Sequence, residues 1–107
     1  MKKAVGYSVS VVTKTKRYGE YLKGYLTKEQ ALKLAMQVAT TSNKVEIDRE
    51  YEITRYGDVE ADSRPYGVMQ KVKRKSGYVY VLKTVDSYGW ESWTYDVTPD
   101  LKLRNRR

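Results

Sequence analysis

Apolar and polar residues alternate along the first part of the chain. From Val5 to Val11, every second residue is Val or Tyr, and the residues between them are Gly or Ser. A period of two is typical of a half-buried β-strand. A basic turn follows at 16–19 and ends in Gly19, because glycine adopts the positive φ that tight hairpins need. The segment 21–26 is predicted to return as a second strand.

The pattern changes to a helical period at Thr27. Thr27 and Gln30 have the spacing of a capping box, in which each side chain satisfies a backbone N–H at the start of a helix. From there to about Thr41, the Ala, Leu, Met and Val residues fall on one side of a helical projection, and most polar residues fall on the other. The sequence therefore predicts one amphipathic helix, which ends in the polar and β-branched cluster 40–43.

Strand patterns dominate the rest of the chain. A strand is predicted over 44–55, where apolar residues and Arg49 face one way and acidic residues face the other. Residues 57–67 are predicted to form a loop, because they include Pro65 and several turn-forming or acidic residues. Strands are predicted at 68–75, 78–85 and 90–97, with turns at 76–77 and 86–89. A short, flexible basic tail is expected from about residue 99.

These elements predict an α+β fold in one domain spanning 1–107, with the order β-β-α-β-β-β-β. The sheet is expected to be mostly antiparallel, with the amphipathic helix packed on one face, because a wide apolar helical face needs a partner surface. A length of 107 residues is that of one small domain. No apolar run approaches a membrane span, and the N-terminal pattern is that of a strand, so a cytoplasmic protein is expected.

Composition narrows the classes of function. The chain has no His and no Cys, so it lacks the commonest proton shuttle, metal ligand and thiol nucleophile. It has 21 Lys and Arg against 13 acids, a net charge of +8, with 11 Tyr and 2 Trp. This inventory favours binding of an anionic partner over catalysis. We expect a non-enzymatic protein with no cofactor, no metal, no small-molecule substrate and no membrane partner.

Acidic residues concentrate on one predicted strand. Four carboxylates, here called the acidic stripe, share one face of this strand: Glu46, Asp48, Glu50 and Glu52. Like charges at neighbouring positions on one face destabilise a sheet unless they are countered. Lys71, Lys73 and Lys75 alternate in the same way on a later strand. If the two strands pair, they form an acid–base ladder; the alternative is that the stripe binds a basic partner protein.

Candidate contacts with an anionic partner lie mainly at the predicted hairpin tips and in the tail. Cations there can follow a phosphate backbone, and aromatic side chains near the tips can stack on unpaired bases. These residues are Lys14, Lys16, Arg17, Tyr18, Lys23, Lys73, Arg74, Lys75, Tyr88, Trp90, Arg104, Arg106 and Arg107. A purely structural interpretation is that basic tips keep sheets from pairing edge to edge.

Two functions follow as hypotheses. The first is a binding protein that engages nucleic acid or a nucleoprotein complex through the basic tips and tail. The second is a small inhibitor or adaptor that blocks a host protein, such as a defence or nucleic-acid-processing enzyme, through a strand edge or the acidic stripe. Residues 24–31 resemble the strand-to-helix step of small sheet-plus-helix DNA-binding domains. In size and composition the chain resembles short phage-encoded proteins, some of which inhibit host enzymes.

Overall fold

The structure is a computed structural model that describes residues 2–13, 19–85 and 91–105. Within these residues, one helix and seven strands form: β1 (Lys2–Val12), β2 (Glu20–Leu26), α1 (Lys28–Val38), β3 (Lys44–Arg55), β4 (Asp58–Arg74), β5 (Gly77–Val85), β6 (Glu91–Val97) and β7 (Leu103–Asn105). They make a single sheet in the order β2-β1-β3-β4-β5-β6-β7, with every neighbouring pair antiparallel. The predicted small α+β fold with a mostly antiparallel sheet and one helix is confirmed. The predicted turn at 86–89 lies outside the described residues, as does the turn at 16–19 apart from Gly19.

Helix α1 begins with the capping box that the sequence predicts. The Gln30 N–H donates to the Thr27 hydroxyl oxygen at 3.1 Å, and the Thr27 N–H donates to the Gln30 side-chain oxygen at 3.0 Å. The helix ends at Val38, earlier than expected, and Ala39 is already extended. The hydroxyl of Thr40 then accepts hydrogen bonds from the backbone N–H groups of residues 42 and 43. Such local bonds compete with helical ones and so end the helix. The helix, with 11 residues, is too short to cross a membrane.

The helix covers one face of the sheet. Ala31, Leu32 and Ala35 of α1 are buried. They belong to one core cluster with side chains from six of the strands, among them Val9, Val45, Ile47, Met69 and Leu82. We call this face of the sheet the helix side and the opposite face the open side. Because successive strand residues alternate between faces, the strand register assigns each side chain to one of them.

Strand β4 is much longer than the sequence suggests, and the prediction of a loop at 57–67 is wrong. The strand runs from Asp58 to Arg74, and its first half pairs with β3. The turn between the two strands consists only of Tyr56 and Gly57, both with positive φ. Pro65 fits into the strand because the register shifts there, leaving Tyr66 as an extra residue. A bulge of this kind tolerates a residue that has no N–H.

The same register overturns the predicted acid–base ladder. The acidic stripe on β3 lies opposite 61–68 of β4, whereas Lys71 and Lys73 lie opposite Tyr80 and Tyr78 of β5. Both lysines are on the helix side with Met69, and the stripe is on the open side. Lys75 follows the end of β4. The ladder requires a long loop after β3. Because the turn has only two residues, the pairing of β4 with β3 is complete before Lys71, and both lysines lie beyond the first residue of β3.

The last described residues form an edge strand, β7. Within the segment where a flexible tail is expected, Leu103–Asn105 pair with Tyr95–Val97 of β6. The chain reverses between the two strands through hydrogen bonds at both ends of the turn. The Thr98 N–H donates to the Lys102 carbonyl at 2.9 Å, and the Lys102 N–H donates to the Thr98 hydroxyl at 3.0 Å. These bonds let a short segment return as an edge strand.

Candidate nucleic-acid interface

The helix side of the sheet carries a row of cations together with tyrosine rings. Lys2, Arg49, Arg64, Lys71 and Lys73 share this face by register. Lys23 and Lys33 line a shallow groove beside α1. The four carboxylates of the acidic stripe point to the other face. The register therefore places this row of cations and tyrosines on the face opposite the acidic stripe, although the two sets alternate along the sequence of β3.

A groove of about 380 Å³ opens on the helix side, between the start of α1 and strands β5 and β6. We call it the helix-side groove. Its lining includes Lys28, Arg49, Tyr66, Trp93 and Tyr95. The side chain of Trp93 is 62% exposed. An exposed indole beside two cations is an unusual surface, because large aromatic side chains are normally buried or used in binding.

Tyr66 fixes the cations at the edge of this groove. Its ring is buried and packs edge-on against Tyr7, with centroids 5.4 Å apart and an interplanar angle of 75°. The Lys28 ammonium nitrogen lies 5.4 Å from the Tyr66 centroid, and the Arg49 guanidinium carbon lies 5.1 Å from it. Both distances are those of cation–π interactions. A neutral ring holds both side chains in place without cancelling their charge.

Similar pairings occur further along the helix side. The Lys71 ammonium lies 5.0 Å from the centroid of the Tyr78 ring and 5.8 Å from that of Tyr80. At the other end, the Lys2 ammonium lies 4.2 Å from the Tyr51 ring centroid. Lys2 also lies 3.8 Å from the Asp62 carboxylate. Cationic and aromatic contacts thus extend on both sides of the helix-side groove.

The five predicted site residues that the structure describes do not lie together. Eight of them lie outside the described residues: Lys14, Lys16, Arg17, Tyr18, Tyr88, Trp90, Arg106 and Arg107. Lys23 and Lys73 lie on the helix side. Lys75 lies in the β4–β5 turn, and Arg104 is exposed on the open side. The described members are therefore divided between the two faces and one turn.

Among the predicted contact residues, Arg74 forms a bidentate pair with an acidic side chain of the protein itself. Its two terminal nitrogens donate to the two carboxylate oxygens of Asp96 at 2.7 and 2.9 Å. This bidentate pair lies on the open side, where β4, β5 and β6 are neighbours. Two parallel charge-assisted bonds fix the guanidinium. Arg74 therefore has a structural partner that the sequence alone does not reveal.

The acidic stripe has no ion pair with any cation among the described residues. One member, Glu50, accepts a hydrogen bond from the Tyr25 N–H at 2.9 Å. It reaches β2 across Gly6 of β1, which is its cross-strand neighbour. Asp48 is half-buried, and burial, followed by the charges of Glu46 and Glu50, raises the pKa of its carboxyl.

Replacing Asp48 with asparagine is expected to stabilise the protein at neutral pH. A raised pKa means that the Asp48 carboxyl holds its proton more tightly in the folded chain than in the unfolded chain. The free energy of unfolding therefore falls as the pH rises from the pKa of the unfolded chain to that of the folded chain, and it stays lower at higher pH. Removing the charge is expected to raise the free energy of unfolding by about 0.5–1 kcal/mol at neutral pH. In acid, below both pKa values, the gain disappears.

Urea denaturation of dilute protein at both pH values measures this effect. The matched control is Asp58→Asn, because Asp58 is exposed and lies opposite Arg55 at the far end of the β3–β4 hairpin. An equal gain in both variants, or a loss in Asp48→Asn at neutral pH, would contradict the interpretation of the stripe as uncompensated.

Comparisons with protein-family models, with curated proteins and with solved structures find no match for this chain. In the part of the chain that the structure describes, no three carboxylates converge in a way that could hold a metal ion.

Proposed function

We propose that this protein is a non-enzymatic nucleic-acid-binding domain that holds a single strand in the helix-side groove, alone or within a nucleoprotein complex. One observation carries the proposal. Lys28 and Arg49 lie near the Tyr66 ring, and all three residues line one groove with the exposed Trp93. Proteins that bind single strands combine these two features, because bases stack on aromatic faces while cations follow the phosphates.

The geometry favours a single strand over a duplex. In a duplex the base faces are stacked on one another, so Trp93 has no free base to stack on. In a single strand a base can lie against the indole, and its flanking phosphates can approach Lys28 and Arg49. Neither cation has a carboxylate among the ion pairs of the described residues. Their charge is therefore available to an anionic ligand.

A longer strand would meet further cations and tyrosines on the helix side of the sheet. Lys71 with Tyr78 and Tyr80 provides a second cation–aromatic cluster on the same side, and Lys73 follows it along β4. The predicted tip and tail residues outside the described part of the chain remain candidate contacts. A net charge of +8 would steer an anionic strand towards the protein.

The proposal is tested by fluorescence anisotropy with labelled single-stranded DNA, single-stranded RNA and duplex DNA of equal length. We expect a single strand to bind most tightly. Three or four phosphate contacts predict that affinity falls by roughly 20- to 50-fold for about a fourfold rise in salt. Lys28→Gln should reduce the slope of log affinity against log salt by about 0.7. Lys3→Gln, an exposed lysine of the open side, is the matched control.

Two results would speak against the proposal. Absence of binding to any of the three ligands at low salt removes it. Retention of a specific protein from a nuclease-treated host lysate, without nucleic-acid binding, would favour the inhibitor or adaptor hypothesis. That hypothesis is supported by the free edge of the sheet at β2, where Tyr21, Leu22 and Tyr25 are exposed.

A further inference from the structure

We propose that the same single strand has a second subsite on the helix side, in a groove between the C-terminal half of α1, strand β5 and the β6–β7 turn. The proposal rests on the proposed function, because it names the surface that a strand reaches beyond the helix-side groove. Three features carry it: the lining of this groove, its spacing from the helix-side groove, and the charges at its rim.

The groove, here called the second groove, has a volume of about 520 Å³. Its apolar lining consists of Met36 of α1, Tyr80 of β5, and Pro99 and Leu101 of the turn. Ligand sites are typically concave and mostly apolar, with a few polar groups that orient the ligand. An apolar surface that includes an aromatic ring suits the flat face of a base.

The β6–β7 turn forms one wall of the second groove. Leu101 lies in this wall with a φ of 66°, which is uncommon for a residue other than glycine. Its N–H donates to the Thr98 carbonyl at 2.9 Å, within the turn closed by the bonds between Thr98 and Lys102. Strained backbone persists where the surrounding structure holds it, and it is concentrated at binding sites. The bonds of the turn therefore hold the Leu101 backbone in the wall of the groove.

The two grooves are spaced for one short strand. Tyr80 of the second groove and Thr84 of the helix-side groove share a face of β5, and four strand residues span about 13 Å. On α1, Lys28 and Met36 line the two grooves, and eight helical residues span about 12 Å. A nucleic-acid strand advances about 3.4 Å per nucleotide when stacked and further when extended, so roughly three to five nucleotides connect the grooves.

The charges at the rim favour a phosphate on the helix wall of the second groove. Lys33 is exposed there, and the Lys71 ammonium lies 5.8 Å from the centroid of the Tyr80 ring. Neither lysine has a carboxylate among the ion pairs of the described residues. The opposite wall carries Asp100, whose carboxylate lies 3.6 Å from the Lys102 ammonium. A phosphate would therefore lie towards Lys33, with its base on the apolar lining.

NMR titrations with a single-stranded dinucleotide and a hexanucleotide test the proposal. The hexanucleotide is long enough to fill both grooves, whereas the dinucleotide fills one and should favour the groove with Trp93 and two cations. Lys33→Gln should weaken hexanucleotide binding about fivefold, since one phosphate contact has a slope of about 0.7 and salt is kept at roughly 0.1 M. The same variant should leave dinucleotide binding unchanged. Lys3→Gln, at an exposed lysine of the open side, is the matched control.

Asp100→Asn provides a second test, in which binding increases. Removing this carboxylate from the groove wall should strengthen hexanucleotide binding about two- to threefold, because it would otherwise repel a phosphate nearby. Asp58→Asn removes the same charge at the far end of the β3–β4 hairpin and should have no such effect.

The outcomes separate this proposal from the proposed function. If the two oligonucleotides bind with equal affinity, or if Lys33→Gln and Lys3→Gln cause equal losses, the second subsite is overturned and the helix-side groove still stands. If neither oligonucleotide binds, the proposed function fails together with the second subsite.

Discussion

Replacing Trp93 with alanine is expected to weaken the binding of a single strand by about 10- to 100-fold. Stacking of one base on an aromatic side chain contributes roughly 1–3 kcal/mol, and about 1.4 kcal/mol corresponds to a tenfold change in affinity. The indole is 62% exposed in the groove, so its removal leaves little of the core unfilled. Trp93→Phe keeps an aromatic face and should bind within roughly threefold of the unaltered protein.

The matched control for Trp93 is Tyr56→Ala. Tyr56 is a fully exposed aromatic residue at the β3–β4 turn, far from the groove in strand register. Anisotropy titrations of the three variants, at one salt concentration, separate the effect of the groove from a general loss of aromatic surface. Equal losses in Trp93→Ala and Tyr56→Ala would show that Trp93 has no special role.

Replacing Gly6 with alanine is expected to lower the free energy of unfolding by roughly 3–4 kcal/mol, a large part of the total for a small domain. Gly6 has a φ of 144°, where side chains other than hydrogen are strained. A methyl group there would lie 2.9 Å from the Leu26 carbonyl oxygen and 3.0 Å from the Tyr25 carbonyl carbon. Both atoms belong to the backbone of β2, so relief requires β1 and β2 to move apart.

The Gly6→Ala substitution is also expected to affect Glu50 of the acidic stripe. Glu50 bonds the Tyr25 N–H across Gly6, and separation of the strands would break this bond. The control is Gly77→Ala, because Gly77 also has a positive φ, of 120°, but no atom lies within 4 Å of the added methyl group. Gly77→Ala therefore measures only the loss of unfolding free energy that comes from the positive φ, about 1–2 kcal/mol. Urea denaturation curves measure both, and equal losses would contradict the predicted clash.

The start of α1 and the alternation of β3 could be predicted from neighbouring residues alone. The capping box at Thr27 and Gln30 forms as expected, since both partners lie within one turn. The alternation over 44–55 places Val45 and Ile47 in the core and the acidic stripe on the opposite face. In both cases neighbouring residues alone determine the outcome.

Residues 57–67 show where such patterns fail. Asp58, Ser63 and Pro65 have the composition of a loop, but pairing with β3 outweighs these weak local preferences. The two-residue turn at 56–57 also changes the partners of the acidic stripe, because the length of a turn determines the register of the strands that follow it. The predicted loop and the predicted acid–base ladder therefore fail for the same reason, which is the short turn between β3 and β4.

The candidate site was only partly visible in the sequence. Arg49 was identifiable as a charged residue on the apolar side of its strand, and that interruption was a usable signal. Tyr66 was hidden within the expected loop. Trp93 lies in the strand predicted at 90–97, but its place in one groove with Lys28 depends on where α1 lies over the sheet. Contacts between distant segments of the chain create the groove, so single-residue patterns could not predict it.

The most direct test of the central claim is an NMR titration of isotope-labelled protein with a short single-stranded oligonucleotide. We expect the largest shift changes at the indole N–H of Trp93 and at the backbone amides of Lys28, Arg49 and Tyr66, which meet at the helix-side groove. The amides of Glu46 and Glu52, three residues from Arg49 and on the opposite face, should change little. Shift changes confined to the open side or to β2, or no changes at all, would contradict the account.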